Sequence, residues 1–204
     1  MSRRIGADRD ANAAGGLPDR FLSRPPVVGR MREFASDPPE EVRVGDALRE
    51  ADHTVAVAES CTGGLVGSLL TDVPGSSDYF DRSLVTYSYD AKRHELAVSR
   101  ESLDEHGAVS EPVAREMAAG VRDVADATWG LATTGIAGPE GGLPGKPVGT
   151  VFVGVAFAAP WGSGDSYARV ERFEYDGSRT QVKEQIARGA LALLREEIES
   201  ATTG

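Results

Sequence analysis

Apolar side chains recur along this chain at two spacings, and the alternation between them defines its architecture. Val44, Leu48 and Ala51 recur every three or four positions, which predicts a helix over 40–51 with an acidic start that suits its dipole. The run 54–58 is short, apolar and β-branched, the pattern of a strand. Residues 65–70 fit one or two buried helical turns, and Pro74-Gly75 marks the loop behind them. A second strand is predicted over 83–88, followed by a short helix over 91–97 capped by Asp90. Ser110 then opens a long helix with Glu111 and Pro112 in its first turn. Its buried stripe is Val113, Met117, Val121 and Val124, so Met117 reads as core and not as a cofactor ligand. Residues 129–133 form a third strand. The run 149–158 is apolar on both faces and therefore central, and the more polar 166–175 is an edge strand. Ser178 and Gln181 make a capping box for a closing helix to about 198, with Val182, Ile186, Ala190, Leu193 and Leu194 facing inward. Strands alternating with helices predict an α/β fold: a three-layer α/β/α sandwich with a mixed, largely parallel central sheet. The antiparallel part falls where 149–158 and 166–175 follow each other directly. There is no internal repeat.

Residues 1–38 break this pattern. They hold Gly15-Gly16, Pro18, Pro25-Pro26 and Pro38-Pro39, and residues 1–30 carry six arginines against three aspartates. This segment is expected to be a disordered N-terminal tail, with the domain occupying 39–204. Met31 is a candidate start, because the composition turns acidic just after it. No apolar run approaches the ~20 residues of a membrane span, and none follows the N-terminal arginines as a secretory signal requires. One cysteine excludes an internal disulfide and points to a reducing, cytoplasmic setting. A net charge of −10 argues against nucleic acid as a partner. Only three of the 22 basic residues are lysine: Lys92, Lys146 and Lys183. Acidic surplus with lysine avoidance suggests adaptation to high salt and a GC-rich coding sequence. It also marks a retained lysine as wanted for something arginine cannot do, such as losing its proton.

Three stretches carry candidate chemistry. The first is Ala58-Glu59-Ser60-Cys61-Thr62-Gly63-Gly64, a tight turn from strand into helix. Ser60 there is placed to act as a nucleophile beside backbone amides that receive an oxyanion. From this stretch alone the reading of Ser60 or Thr62 as a helix N-cap comes first, and Cys61 is a rival nucleophile. The second stretch is 134–147, with five glycines, which fits neither phosphate-loop fingerprint but lets backbone approach a ligand. The third is Tyr87-Ser88-Tyr89-Asp90-Ala91-Lys92 at another strand end. Ends of neighbouring strands share one crevice, so Lys92 becomes a candidate base for Ser60 if burial lowers its pKa; otherwise it is a solvated lysine on a helix. His53, His94 and His106 show no metal-ligand spacing and read as solvent-facing, so no metal is implied.

Five blocks, in order, then resemble one family: 58–64, 70–77, 85–92, 107–110, and 134–139 with 146–150. They resemble the C-terminal domain of the competence-damage protein CinA, whose members are nicotinamide-nucleotide amidohydrolases. The similarity runs from about 40 to 200. It implies a serine–lysine amidohydrolase that converts nicotinamide mononucleotide and water to nicotinate mononucleotide and ammonia, without cofactor. Carried over by the resemblance, Ser60 is the nucleophile, Lys92 the base and Tyr89 a supporting tyrosine. Cys61, Thr62, Gly63, Gly64, Thr134, Gly135, Lys146 and Arg179 are the candidate substrate-binding residues. The amides opening the helix after Thr62 are expected to hold the oxyanion, and Arg179 or Lys146 the phosphate. Many CinA proteins carry a further N-terminal domain that these upstream residues do not resemble, so a stand-alone form is expected. The alternative is a non-catalytic nucleotide-binding or regulatory module. Expected partners are a small pyridine nucleotide and further copies of the chain in a homodimer or other homo-oligomer, with no nucleic acid and no membrane.

Overall fold

The sheet owes its layered form to a division of labour between its two faces. In this computed structural model, which describes residues 33–203, five strands form one sheet in the order β2-β1-β3-β4-β5. They are β1 (Val55–Glu59), β2 (Phe80–Val85), β3 (Trp129–Gly135), β4 (Thr150–Phe157) and β5 (Tyr167–Glu174). β1 runs parallel to β2 and β3, and β4 is antiparallel to both β3 and β5. The sheet is therefore mixed, with β4 alone reversed.

One face carries small residues at successive positions: Ala56 and Ala58, Gly130 and Ala132, Gly154 and Ala156. The other carries Val55, Val57, Trp129, Leu131, Val151, Val153 and Val155, all buried. The small face lets helix α5 (Glu111–Ala125) lie almost on the backbone. A Cβ on Gly130 would stand 2.0 Å from the Ala118 carbonyl oxygen, and one on Gly154 2.5 Å from that of Ala114. Gly130→Ala is accordingly expected to cost about 3 kcal/mol or more, read as a lower urea midpoint with unchanged slope. The larger side chains of the opposite face pack against α1 (Glu40–Ala51), α2 (Leu65–Thr71) and α6 (Arg179–Thr203). Helices α3 (Tyr89–Leu96) and α4 (Arg100–His106) lie with α5 over the small face. These are the three layers that the alternation of elements predicts.

Several details differ from the sequence reading. β2 begins at Phe80 and ends at Val85, three residues earlier than predicted; the Thr86 N–H still donates to the Glu59 carbonyl, and the chain bends at Ser88 into α3. The cap of α3 is Ser88, whose hydroxyl accepts from the Ala91 N–H at 3.1 Å, and not Asp90. α4 has no counterpart in the apolar pattern; it has seven residues and buries only Leu103, too little for a period to register. Ser110 sits at the α5 N-cap, but its hydroxyl donates to the Gly107 carbonyl. The α5 stripe ends a turn early, since Val124 is half exposed. The capping box at Ser178 and Gln181 forms, with Gln181 Oε1 accepting the Ser178 N–H at 2.9 Å.

The disordered character expected of residues 1–32, and the candidate start at Met31, lie outside the described residues. Of the segment just before α1, Glu33 and Phe34 donate their backbone N–H groups to the Glu184 carboxylate on α6. Among the described residues no helix is long and apolar enough to cross a membrane.

Candidate active site

The parallel strands β1, β2 and β3 end side by side, Glu59 being in register with Val85 on one side and Thr133 on the other. The segments leaving the three strands are thereby gathered at one edge: Ser60 after β1, Thr86 and α3 after β2, and the glycine loop after β3. The Ser60 N–H continues the ladder by donating to the Thr133 carbonyl at 3.0 Å.

Glu59 organises the turn. Its carboxylate is fully buried and accepts the N–H groups of Gly64 (2.8 Å), Val66 (3.1 Å) and Gly67 (2.9 Å), plus the Ser83 hydroxyl at 2.8 Å. The open end of α2 is thus closed by a side chain of the preceding strand, an arrangement favoured by hydrogen bonding and helix dipole together. Two expectations change. Neither Ser60 nor Thr62 serves as the cap: Gly64 holds that position at φ 94°, and the Thr62 hydroxyl shares a 2.8 Å hydrogen bond with that of Thr133. The Gly64, Val66 and Gly67 amides are also already committed, so the start of α2 does not offer them to an oxyanion. The Thr62 and Gly63 amides have no partner among the described residues.

Lys92 lies one turn into α3 and is fully buried. Its Nζ is 2.6 Å from the Thr86 carbonyl oxygen and 3.0 Å from Ser60 Oγ. No carboxylate is bonded to it to offset the loss of water, so burial lowers its pKa to about 8, against a small opposing pull from Cys61. The Cys61 thiol goes the other way. It is 5% exposed, and burial pushes it up to about 12, leaving it protonated at neutral pH.

An open cavity of about 280 Å³ lies over this pair. Ser60 and Cys61 are at its base, Tyr87 and Arg179 at its sides, and Gly135 to Gly138 with Glu140 and Gly141 along the glycine loop. Arg179 braces it, donating to the Gly138 carbonyl and, at 3.5 Å, to the Tyr87 hydroxyl. The remaining candidates fall outside this lining. Thr134 is buried and donates its hydroxyl to the Ala108 carbonyl at 2.7 Å. Lys146 Nζ donates to the His106 carbonyl at 3.1 Å. Tyr89, half exposed, accepts the Ala108 N–H at 3.3 Å and lines a separate recess with Arg93 and Arg100. It is Tyr87, two residues earlier, that faces the Ser60 cavity. Sequence reasoning places Tyr87, Glu140 and Glu59 inside its candidate stretches but gives them no role; the available signal for Glu59 is an acidic residue ending an otherwise apolar strand. His53 also departs from its reading as solvent-facing: it is half-buried, with Nδ1 accepting the Trp129 indole N–H at 3.1 Å. Among the described residues no three His, Cys, Asp or Glu side chains gather as a metal-binding group.

The model of the CinA C-terminal domain matches residues 39–198, a span holding the whole sheet and the cavity. The chain belongs to this family. Curated CinA-like proteins resemble it closely: that of Chlorobium limicola is 47% identical over 173 residues, covering 85% of this chain and 39% of its own length. That of Salinibacter ruber is 46% identical over 195 residues, covering 92% and 44%. The chain therefore spans about two-fifths of the length of these curated relatives. Among solved structures, a CinA superfamily protein from Klebsiella pneumoniae is 35% identical, with a TM-score of 0.73 over 79% of this chain and 96% of that one. A competence/damage-inducible protein from Agrobacterium tumefaciens is 36% identical, with a TM-score of 0.72 over 78% and 93%. The α/β sandwich with its mixed five-stranded sheet is thus the CinA fold.

Proposed function

We propose that this CinA-type domain is a serine–lysine amidohydrolase acting on the carboxamide of a pyridine nucleotide, releasing nicotinate mononucleotide and ammonia from nicotinamide mononucleotide. The observation that carries this reading is the 3.0 Å contact between Lys92 Nζ and Ser60 Oγ at the base of an open cavity, with the lysine's pKa brought down to about 8. A lysine in that range is neutral often enough near physiological pH to act as a base.

Neutral Lys92 keeps an N–H on the Thr86 carbonyl and turns its lone pair to the Ser60 hydroxyl. Ser60 Oγ bonds to the carboxamide carbon as its proton passes to Lys92, and the carbonyl π electrons move onto oxygen. The Thr62 and Gly63 amides are the backbone donors available beside that oxyanion. Collapse breaks the C–N bond, Lys92 returns the proton to the leaving nitrogen, and ammonia departs from an acyl-serine. Water, deprotonated by the same lysine, attacks the ester, and Ser60 recovers its proton. Tyr87, exposed beside the nucleophile, offers a face for a pyridine ring to stack on.

The test is ammonia release from nicotinamide mononucleotide. Ser60→Ala is expected to lower it by about 10³-fold or more. Cys61→Ala should stay within about tenfold of the native rate, because a thiol held at about 12 is not the nucleophile. Loss in Cys61→Ala with activity kept in Ser60→Ala would reverse the assignment. Tight nucleotide binding without ammonia would make the domain a binding module.

A further inference from the structure

The three lysines of this lysine-poor chain are not scattered. Lys92 lies beneath Ser60, Lys146 stands in the glycine loop, and Lys183 reaches the serine turn from α6. The first two have hydrogen-bond acceptors in hand. Lys183 has neither a hydrogen bond nor an ion pair among the described residues. Its ammonium approaches Gly63 so closely that a Cβ there would lie 3.5 Å from Nζ. The acidic groups at this end of α6 are otherwise engaged: Glu184 of the helix with Arg188 and the Glu33 and Phe34 amides, and Glu33, from the segment before α1, with Gln181. Lys183 follows Arg179 by four residues, so both rise from the same face of α6 toward the Ser60 turn. Its charge is felt at the Cys61 thiol on the cavity floor.

We propose that Lys183 is the anion anchor of this site, its ammonium and the Arg179 guanidinium receiving the phosphate monoester of the substrate above the Gly63 turn. A dianionic phosphate monoester is the ligand chemistry that two cations one helical turn apart select, neither of them paired with a carboxylate among the described residues. Gly63, at φ 63°, holds the left-handed backbone that brings the serine turn to within ordinary contact of the ammonium. The inference deepens the amidohydrolase reading and rests on it for the identity of the substrate. It gives α6 the task of fixing the phosphate while β1 and α3 supply the chemistry.

The experiment compares native protein with Lys183→Met and Lys183→Arg on nicotinamide mononucleotide and on its phosphate-free nucleoside, at one fixed salt concentration. Lys183→Met is expected to raise KM for the nucleotide 10- to 100-fold, with kcat within about twofold and the nucleoside unaffected. Lys183→Arg, keeping the charge, should hold KM within about fivefold. Inorganic phosphate should compete with the nucleotide in the native protein and lose potency in Lys183→Met. An unchanged nucleotide KM in Lys183→Met overturns the proposal, and so does an equal loss on nucleotide and nucleoside. If phosphate binds but nucleotide and nucleoside share one KM in the native protein, the site holds the free ion and the substrate role falls. Should no amide be hydrolysed, the amidohydrolase reading fails separately. Calorimetric titration of the nucleotide then decides for Lys183: binding weakened tenfold or more in Lys183→Met supports it, and equal or absent binding overturns it.

Discussion

Lys92→Met is expected to abolish ammonia release, by about 10³-fold or more, while making the protein more stable. Both effects have one cause. A lysine whose pKa falls from 10.5 to about 8 on folding is a buried charge that the fold incompletely compensates. The shift corresponds to roughly 3 kcal/mol at neutral pH. Methionine has a similar length and no charge to desolvate. Against this stands the Thr86 carbonyl, which loses its 2.6 Å donor at a cost of about 1–2 kcal/mol. The net gain of about 1–2 kcal/mol should raise Tm by several degrees. The sign follows from proton binding. Between pH 8 and 10.5 the unfolded lysine holds a proton that the folded one has released, so the lysine's penalty falls as pH rises through that window; below about 8 both forms are protonated and the penalty acts in full. Cys61 pulls oppositely at higher pH, its thiol holding a proton in the fold up to about 12. The difference between the native and Lys92→Met melting curves is therefore the quantity to follow, shrinking from pH 8 to 10. In the native protein kcat/KM should rise with pH through an inflection near 8, as the neutral lysine accumulates. A flat profile from pH 6 to 10, or a Lys92→Met variant that is active or less stable than native, would refute the role given to this buried base.

The elements are legible wherever burial imposes a period. Val44 and Leu48 on α1, Val113 to Val121 on α5 and Val182 to Leu194 on α6 repeat because each helix has one face against the core. Apart from Glu59 and Thr150 at their ends, β1 and β4 are apolar because both faces are covered. The edge strand β2 is misplaced by its sequence pattern because half of it faces water, and α4 is invisible there because one leucine makes no pattern. Within the site, Ser60 and Lys92 stand out on local grounds, a serine in a strand-to-helix turn and a lysine in a chain that prefers arginine. Their contact depends on β1 and β2 being neighbours, which no local pattern encodes. Tyr87 and Tyr89 cannot be told apart in one dimension: the chain turns between them at the Ser88 cap, sending one to the cavity and the other to the recess beside Arg93. The short polar segments of the chain are legible as places where chemistry could sit; which of their side chains face it is decided by turns.

Glu59 shows the same gap from the stability side, and its replacement should have the second large effect. The carboxylate accepts four hydrogen bonds with no solvent exposure, three of them from α2 or its cap. Glu59→Gln has nearly the same shape but only one acceptor oxygen. The Gly64 and Val66 amides meet at Oε2, while Gly67 and Ser83 meet at Oε1, so an NH₂ group at the first position faces two amide donors and at the second faces the Gly67 amide, where only the Ser83 hydroxyl can turn to accept from it. With charge-assisted bonds lost and buried donors left unmet, the expected cost is about 3 kcal/mol, and more for Glu59→Ala. The same four bonds fix the turn from which Ser60 reaches Lys92, so activity should fall even where the fold survives. A displacement of about 1 Å at a nucleophile costs on the order of 100-fold. Measured at low temperature with the variant fully folded, kcat is therefore expected to drop about 10- to 100-fold while KM changes little. The negative charge itself works against the oxyanion that forms one residue away, so its removal alone would speed the reaction. A Glu59→Gln variant with raised kcat would mean that this repulsion outweighs the positioning; a kcat loss means that holding the turn matters more than the charge that holds it.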